Sequence, residues 1–251
     1  MFVACSSMCF GRMTLEQALH AVSELRFAKV DLAFRETGGH LKPSEVHADL
    51  ARVIQILRVS AMTFSAFHVD FGAVSEELQR DHLKSICRLA RNIAVPVVSL
   101  AAAPQGSDLD TETARLGAFA RIAQNEGLIL AVETHGETVT GDPLGAAELC
   151  RRIPGMGLTL DPSHYTVGPH AKADYDLLFP LVRHVRLRDS GREQFSTRIG
   201  QGEIDYGRII GHLDRVRYTR ALSVDIRDDP TPDFPVEIEA RKLKYLLESM
   251  V

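Results

Sequence analysis

The sequence has few cysteines and no long apolar run. Its cysteines lie in apolar surroundings and form no CxxC pair, so buried, reduced thiols are expected rather than a disulfide framework. No segment approaches the ~20 consecutive apolar residues of a membrane span, and the first ten residues lack the basic start of a signal peptide. The sequence therefore predicts a soluble, cytoplasmic protein without a membrane partner. The cysteines are Cys5, Cys9, Cys87 and Cys150.

An excess of positive charge is also missing. The formal net charge is -4 and the isoelectric point is about 6.2. A protein whose main partner is a nucleic-acid backbone needs a clustered positive field, so no nucleic-acid partner is expected. The chain has no linker rich in proline, serine or glycine. Because barrels of alternating strands and helices run to ~250 residues as one unit, residues 1–251 are predicted to form a single domain.

Eight short, apolar segments alternate with segments of helical periodicity. Thr14 and Gln17 predict a capping box at the first helix, and Asp142 before Pro143 marks the start of a later one. Alternation of this kind indicates a parallel sheet. Eight repeats favour closure into a single (β/α)8 barrel, with an open sheet as the alternative. The predicted strands are Phe2–Cys9, Lys29–Phe34, Met62–Val69, Val95–Ala101, Leu128–Glu133, Gly157–Asp161, Val182–Arg188 and Ala221–Ile226.

Ionisable residues gather where the later strands end. In (β/α)8 barrels this is where functional side chains lie. A lone histidine at a strand end is more often structural than a ligand, and Arg188 with Asp189 has a plain reading as a surface pair. The candidates, in chain order, are His68, Asp70, Glu133, His135, Asp161, His164, His184, Arg186, Arg188, Asp189, Asp225, Arg227 and Asp228.

Glu133 and Asp161 are the hardest of these to explain as structural residues. Each follows an apolar strand, and an unpaired buried carboxylate is costly. Two carboxylates at the ends of adjacent strands repel each other unless a cation or a shared proton lies between them. With imidazoles nearby, a mixed oxygen and nitrogen site suits Mn, Mg, Co or Zn. The sequence thus points to a divalent metal.

The ordered motifs VETH, LDPSHY, HVRLRD, GQGEIDYG and SVDI resemble those of the xylose isomerase-like TIM barrels. That family includes sugar phosphate isomerases and epimerases, ketose 3-epimerases, dehydratases and family 2 type apurinic endonucleases. The resemblance covers the whole chain and is most specific over residues 128–226. It implies that Glu133 is a metal ligand and general base and that Asp161 is the second ligand. His164 matches a histidine that contacts substrate in epimerases and binds zinc in the endonucleases.

Two positions depart from the family pattern. The usual motif HVHLKD reads HVRLRD here, so Arg186 stands at a ligand position, and Asp225 replaces a glutamate. Arg186 either fills the place of the metal and holds a substrate oxyanion or carboxylate, or swings aside from a weakened cation. We expect the second slightly more. His184 faces the same way as Arg186 but ~7 Å lower in the barrel. The candidate metal ligands are then Glu133, Asp161, His164, His184 and Asp225.

These residues predict an enzyme acting on a ketose, keto-sugar or related polyol. Glu133 would remove a proton next to the carbonyl, with Asp225 as the opposing acid or base and a metal polarising the carbonyl. Isomerisation, epimerisation and loss of water all follow from such an enolate. The alternatives are a barrel that binds a sugar or sugar acid without catalysis and, least favoured, a DNA-repair nuclease. A homo-oligomer is left open. The predicted substrate-binding residues are His68, His135, His164, Arg186 and Arg188.

Overall fold

A computed structural model describes residues 1–228 and 232–251 of the chain. Eight parallel strands pair in the order β1 to β8, and β8 pairs with β1 to close the barrel. The predicted (β/α)8 barrel is therefore confirmed. The strands are β1 Phe2–Ser6, β2 Lys29–Arg35, β3 Thr63–Asp70, β4 Val97–Leu100, β5 Ile129–Glu133, β6 Gly157–Leu160, β7 Val182–Leu187 and β8 Ala221–Val224.

The helices surround the barrel, and several begin at the predicted caps. The Thr14 side chain accepts from the Gln17 N–H while the Gln17 side chain accepts from the Thr14 N–H, as the capping box requires. Asp142 accepts from the Gly145 N–H at 2.9 Å. The α-helices are α1 Leu15–Glu24, α2 Pro43–Ala48, α3 Leu50–Val59, α4 Glu76–Asn92, α5 Leu109–Asn125, α6 Pro143–Arg152, α7 Tyr206–Arg215 and α8 Val236–Glu248.

The connection between β6 and β7 departs from strict alternation. It contains two short 3₁₀ helices, Pro162–Tyr165 and Asp176–Leu181, where the repeat predicts an α-helix. Pro180 lies inside the second of them and has no N–H to give to a longer helix. The connection between β2 and β3 departs in the other direction, because it carries two α-helices, α2 and α3.

Several strands end earlier than predicted, which changes the setting of the polar residues. The first strand stops at Ser6 and continues as a 3₁₀ turn, Ser7–Phe10. Asp161, Arg188 and Asp225 each lie one residue beyond their strand. They therefore occupy the start of the loops at the carboxyl end of the barrel, which we call the mouth.

The main apolar core lies between the strands and the helices. It contains large buried side chains such as Phe34, Phe67 and Phe119. Side chains on the other face of each strand fill the barrel interior, where a smaller apolar cluster of Ala66, Val97 and Ala131 forms the floor. All four cysteines are buried and none of them forms a disulfide bond. Among the described residues, no helix is both long and apolar enough to span a membrane.

Candidate functional site

Five residues from four neighbouring strands meet at the mouth. Glu133 is the last residue of β5, and Asp161 and Asp225 follow β6 and β8. Arg186 lies in β7 and Arg188 just beyond it. All five are less than a tenth exposed. The ends of these parallel strands thus bring together the ionisable residues that the sequence predicts for the site.

Arg186 bridges two buried carboxylates. Its Nη1 donates to Glu133 Oε1, and its Nε donates to Asp31 Oδ2 at 3.3 Å. Asp31 lies in β2, three strands away from β5 around the barrel, and is 1% exposed. His184 Nε2 lies 2.8 Å from the same Asp31 oxygen. The guanidinium therefore occupies the centre of the barrel between Glu133 and Asp31.

This arrangement keeps both carboxylates ionised. Burial opposes ionisation of Glu133, but His68 and Arg186 outweigh it and lower the pKa of Glu133 to about 2. Burial is likewise offset at Asp31, where Arg186 and His184 lower the pKa to about 2. The pKa of Arg186 is raised, because its carboxylate partners exceed the effect of burial. At neutral pH, Glu133 and Asp31 are therefore negatively charged and Arg186 between them is positively charged.

Arg188 forms a second ionic group on the other side of the mouth. Its Nη2 donates to Asp161 Oδ2, and its Nε donates to Ser163 Oγ at 3.0 Å. The Ser163 N–H in turn donates to Asp161 Oδ1 at 3.0 Å. Asp161 thereby caps the 3₁₀ helix Pro162–Tyr165. Both arginines of the HVRLRD motif thus form ion pairs with carboxylates at the ends of neighbouring strands.

Asp225 differs from the other carboxylates. It is 1% exposed, and neither of its carboxylate oxygens accepts a hydrogen bond from the part of the chain that the structure describes. Arg188 Nη1 and Arg227 Nε each lie 3.6 Å from Asp225 Oδ2. Burial would raise the pKa of Asp225, but Arg227 and Arg186 hold it well below its usual range. Asp225 is thus an ionised, buried carboxylate whose nearest guanidinium groups lie just beyond hydrogen-bond distance.

The imidazoles of His68 and His164 are held neutral. Burial, reinforced by Arg186, lowers the pKa of His68 to about 4, and burial does the same for His164. His68 Nδ1 lies 3.2 Å from Glu133 Oε1. His164 Nδ1 accepts from the Gly136 N–H at 3.3 Å, and its ring contacts that of His135 at 4.1 Å between centroids. Neutral rings of this kind can donate to and accept from hydroxyl groups.

The loop after β7 closes over one edge of the mouth. Asp189, which the sequence also allowed as a surface residue, is buried and accepts from the Gly200 and Gly202 N–H groups at 2.7 and 3.1 Å. Gly202 has no room for a side chain, since a Cβ there would lie 2.7 Å from the Ser190 carbonyl oxygen. Phe195 in this loop packs against His164 with 4.9 Å between ring centroids. Asp189 therefore anchors a loop that positions an aromatic ring beside the site.

The donor set does not fit a divalent cation. Glu133 and Asp161 carry guanidinium groups on their oxygens, and arginine has no lone pair for a metal. His184, a candidate ligand, contacts Asp31 instead. Residues 1–228 and 232–251 contain no group of three or more His, Cys, Asp or Glu side chains placed to hold a metal.

Asp31 is the residue of this site that sequence reasoning missed. It interrupts the apolar run VDLAF of β2, and the cost of burying an unpaired carboxylate applies to it as it does to Glu133. That signal was available, but Asp31 precedes the strand end by four residues. Ser163 and Phe195 were also missed, and no sequence pattern marks them.

Fold and site together define a (β/α)8 barrel with a buried ionic centre at the carboxyl ends of its strands. The model of the xylose isomerase-like TIM barrel family matches residues 19–246, and the chain belongs to that family. No curated protein sequence matches the chain.

Solved structures share the fold over nearly the full length. A xylose isomerase-like TIM barrel protein from Mycobacterium smegmatis in complex with magnesium is 16% identical, with a TM-score of 0.78 and coverage of 99% of this chain and 97% of that one. D-allulose 3-epimerase from Methylomonas sp. in complex with D-allulose is 12% identical, with a TM-score of 0.76 and coverage of 100% and 97%. The probable 3-DHS dehydratase AsbF from Bacillus anthracis is 13% identical, with a TM-score of 0.74 and coverage of 99% of each chain.

Proposed function

We propose that this protein is an enzyme that removes a proton next to the carbonyl of a small polyhydroxylated compound. The observation that carries the proposal is the Glu133 carboxylate, which is buried at the mouth, held ionised and placed against His68 and Arg186. A base in such a position can act on a carbon acid if the developing negative charge on the carbonyl oxygen meets a cationic donor. Isomerisation, epimerisation and dehydration share this first step.

The remaining groups suit a substrate rich in hydroxyl groups. Asp225 offers two acceptor oxygens that are otherwise unused in the described structure, and Asp31 Oδ1 is a third. His135 and His164 supply ring nitrogens, and Arg188 supplies N–H donors. The similar structures support the same class, since one is a sugar epimerase with D-allulose and another is a probable dehydratase.

In this scheme Glu133 is the base and Asp225 the opposing acid or base. His68 orients Glu133, while His135, His164, Arg186 and Arg188 contact the substrate. The family resemblance suggests a divalent cation, and the similar M. smegmatis protein is in complex with magnesium. Because the donor set of this chain does not fit such a cation, no step is assigned to one.

Exchange of substrate protons with solvent tests the proposal. D-allulose, D-tagatose, D-fructose and 3-DHS are incubated with the protein in D₂O, and NMR follows loss of the signal from the proton next to the carbonyl. We expect exchange above background with at least one compound, and Glu133→Gln should slow it by at least about 10²-fold, since it removes a positioned base.

The matched control is Glu137→Gln, because Glu137 lies in the loop that follows Glu133 but is exposed. It should leave the exchange rate unchanged. Wild-type exchange rates in Glu133→Gln would show that Glu133 is not the base. Saturable binding of a compound without exchange would instead favour a barrel that binds sugars without catalysis, for which the ion-paired state of Glu133 is the supporting observation.

A further inference from the structure

We infer that the Arg186 guanidinium takes the place of a divalent cation at the mouth, closes the site to metals, and is the electrophile that receives the substrate's carbonyl oxygen. The last part rests on the proposed function, whereas the closure to metals does not. Three features of the described structure carry the inference.

The first feature is the position of the guanidinium. Arg186 is 2% exposed and donates across the barrel interior to carboxylates on β2 and β5, which are three strands apart. A cation on Glu133 Oε1 would have to displace this donor, and a cation on the other carboxylate oxygen would lie close to the positive charge of the guanidinium. Because Arg186 is enclosed by the barrel, its charge has no route to solvent comparable with that of a surface arginine.

The second feature is the balance of charge. Four buried carboxylates face three guanidinium groups, and the ion pairs fall into two groups: Arg186 pairs with Asp31 and Glu133, whereas Arg188 and Arg227 pair with Asp161 and Asp225. The arginines thus leave one net negative charge for a ligand to meet. A divalent cation would find most of the attraction already used and three positive groups close by. Among the described residues, most of the negative charge of these carboxylates is thus balanced by the arginines of the chain itself.

The third feature is unused donor capacity. A guanidinium has five N–H groups, and Arg186 directs only Nε and Nη1 to the described residues. The N–H groups that remain can donate to one carbonyl oxygen while Asp31 keeps the side chain in place. Planar donors of this kind bind oxyanions with defined geometry.

The chemistry that follows is balanced without a cofactor. Glu133 takes the proton from the carbon next to the carbonyl, and the electron pair of that C–H bond moves to form the enolate. Its negative oxygen is stabilised by the free N–H groups of Arg186. In isomerisation the proton on Glu133 goes to the neighbouring carbon, while the hydroxyl proton of the enediol moves to the former carbonyl oxygen. In dehydration the same proton goes to the departing hydroxide, which leaves as water. Epimerisation needs a proton on the opposite face, which Asp225 would deliver after taking it from solvent, while Glu133 gives its proton up to solvent.

Titration with Mn²⁺ tests the closure of the site independently of turnover. By isothermal titration calorimetry, wild-type protein freed of metal by chelator should show no saturable binding. Arg186→His removes the positive charge, adds a nitrogen ligand and frees Glu133, so one Mn²⁺ should bind with a one-to-one isotherm. The control is Arg183→His, on the same strand, because Arg183 donates only to the backbone carbonyls of Pro180 and Val182.

The outcomes separate this inference from the proposed function. One-to-one Mn²⁺ binding by wild type, lost in Glu133→Gln, would overturn the inference and leave proton abstraction standing. Absence of binding in a folded Arg186→His protein, with circular dichroism as the check, would also overturn it. If that variant does not fold, wild type still decides: proton exchange that persists in EDTA supports the inference, and exchange that EDTA abolishes and Mn²⁺ restores refutes it.

Discussion

Replacing Arg186 by methionine tests the central claim that the guanidinium neutralises buried carboxylates. Methionine keeps much of the volume of the side chain but removes its charge and its donors. Glu133 and Asp31 would then be buried carboxylates without their shared partner. Breaking a buried ion pair by removing one partner is destabilising by about 3–5 kcal/mol, and we expect Arg186→Met to lower the free energy of unfolding by that amount near pH 7.

The effect should depend on pH in a defined direction. In wild type, the pKa of Glu133 is about 2 against an ordinary value of 4.5, and that of Asp31 is about 2 against 3.8. Carboxyl groups with a lowered pKa stabilise the folded state above their unfolded pKa, and this stability is lost as the pH falls towards 2. In the variant, burial without Arg186 raises both pKa values, so the carboxylates destabilise the fold at neutral pH but not in acid. The difference between the two proteins should therefore begin to shrink once the pH falls below the raised pKa values of the variant, above about 4.5, and should continue to shrink towards about pH 2.

Urea unfolding followed by far-ultraviolet circular dichroism at several pH values between about 4 and 8 measures this difference. Arg91→Met is the matched control, since Arg91 is 67% exposed and pairs with Glu126 at the surface. It should change the free energy of unfolding by less than about 0.5 kcal/mol. The double variant Glu133→Gln/Arg186→Met should recover part of the loss, because one uncompensated charge is gone. A loss in Arg186→Met below about 1 kcal/mol at every pH would refute the reasoning.

Two further predictions concern Asp225 and the thiols. Asp225→Asn should slow substrate-proton exchange by about 10²-fold or more, because it removes the charged acceptor that faces the site; exchange at the wild-type rate would exclude Asp225 from the chemistry. Burial raises the pKa of Cys87 and of Cys150 to about 12, so little thiolate is present near pH 8. A disulfide reagent should label none of the four cysteines rapidly in the native protein and all of them after unfolding, and fast native labelling would contradict their burial.

The fold could be predicted from the sequence because its signals are local and repeated. Each strand is a short apolar run and most of the α-helices begin at a side-chain cap, as at Thr14 and Asp142. Closure of the barrel followed from the number of repeats. The prediction for the connection between β6 and β7 was wrong. The repeat predicted an α-helix there, but Pro180 limits the segment to a short 3₁₀ helix. Local chemistry overrides periodicity at that point.

The candidate site was predictable only in part. Glu133 and Asp161 lie at the mouth as predicted, because the carboxyl ends of parallel strands meet there. His184 faces the interior, as its spacing from Arg186 indicated, but its partner is Asp31 on the far side of the barrel. A contact between residues 153 positions apart cannot be predicted from the periodicity of a single sequence. The ion pairs that decide the chemistry are long-range and therefore had to come from the structure.

The ion pair between Asp31 and Arg186 explains why both side chains can be buried inside the barrel. A carboxylate inside a barrel is unfavourable alone, and so is a guanidinium between strands, yet each supplies the charge that the other needs. Asp31 holds Arg186 through Nε and His184 through Nε2, so the guanidinium stays beneath Glu133 rather than turning towards solvent. Without Asp31, Arg186 would be fixed only by Glu133, the group proposed to act as the base. The second carboxylate thus lets Arg186 shift towards a substrate oxygen without losing its anchor, which a single ion pair with Glu133 would not allow.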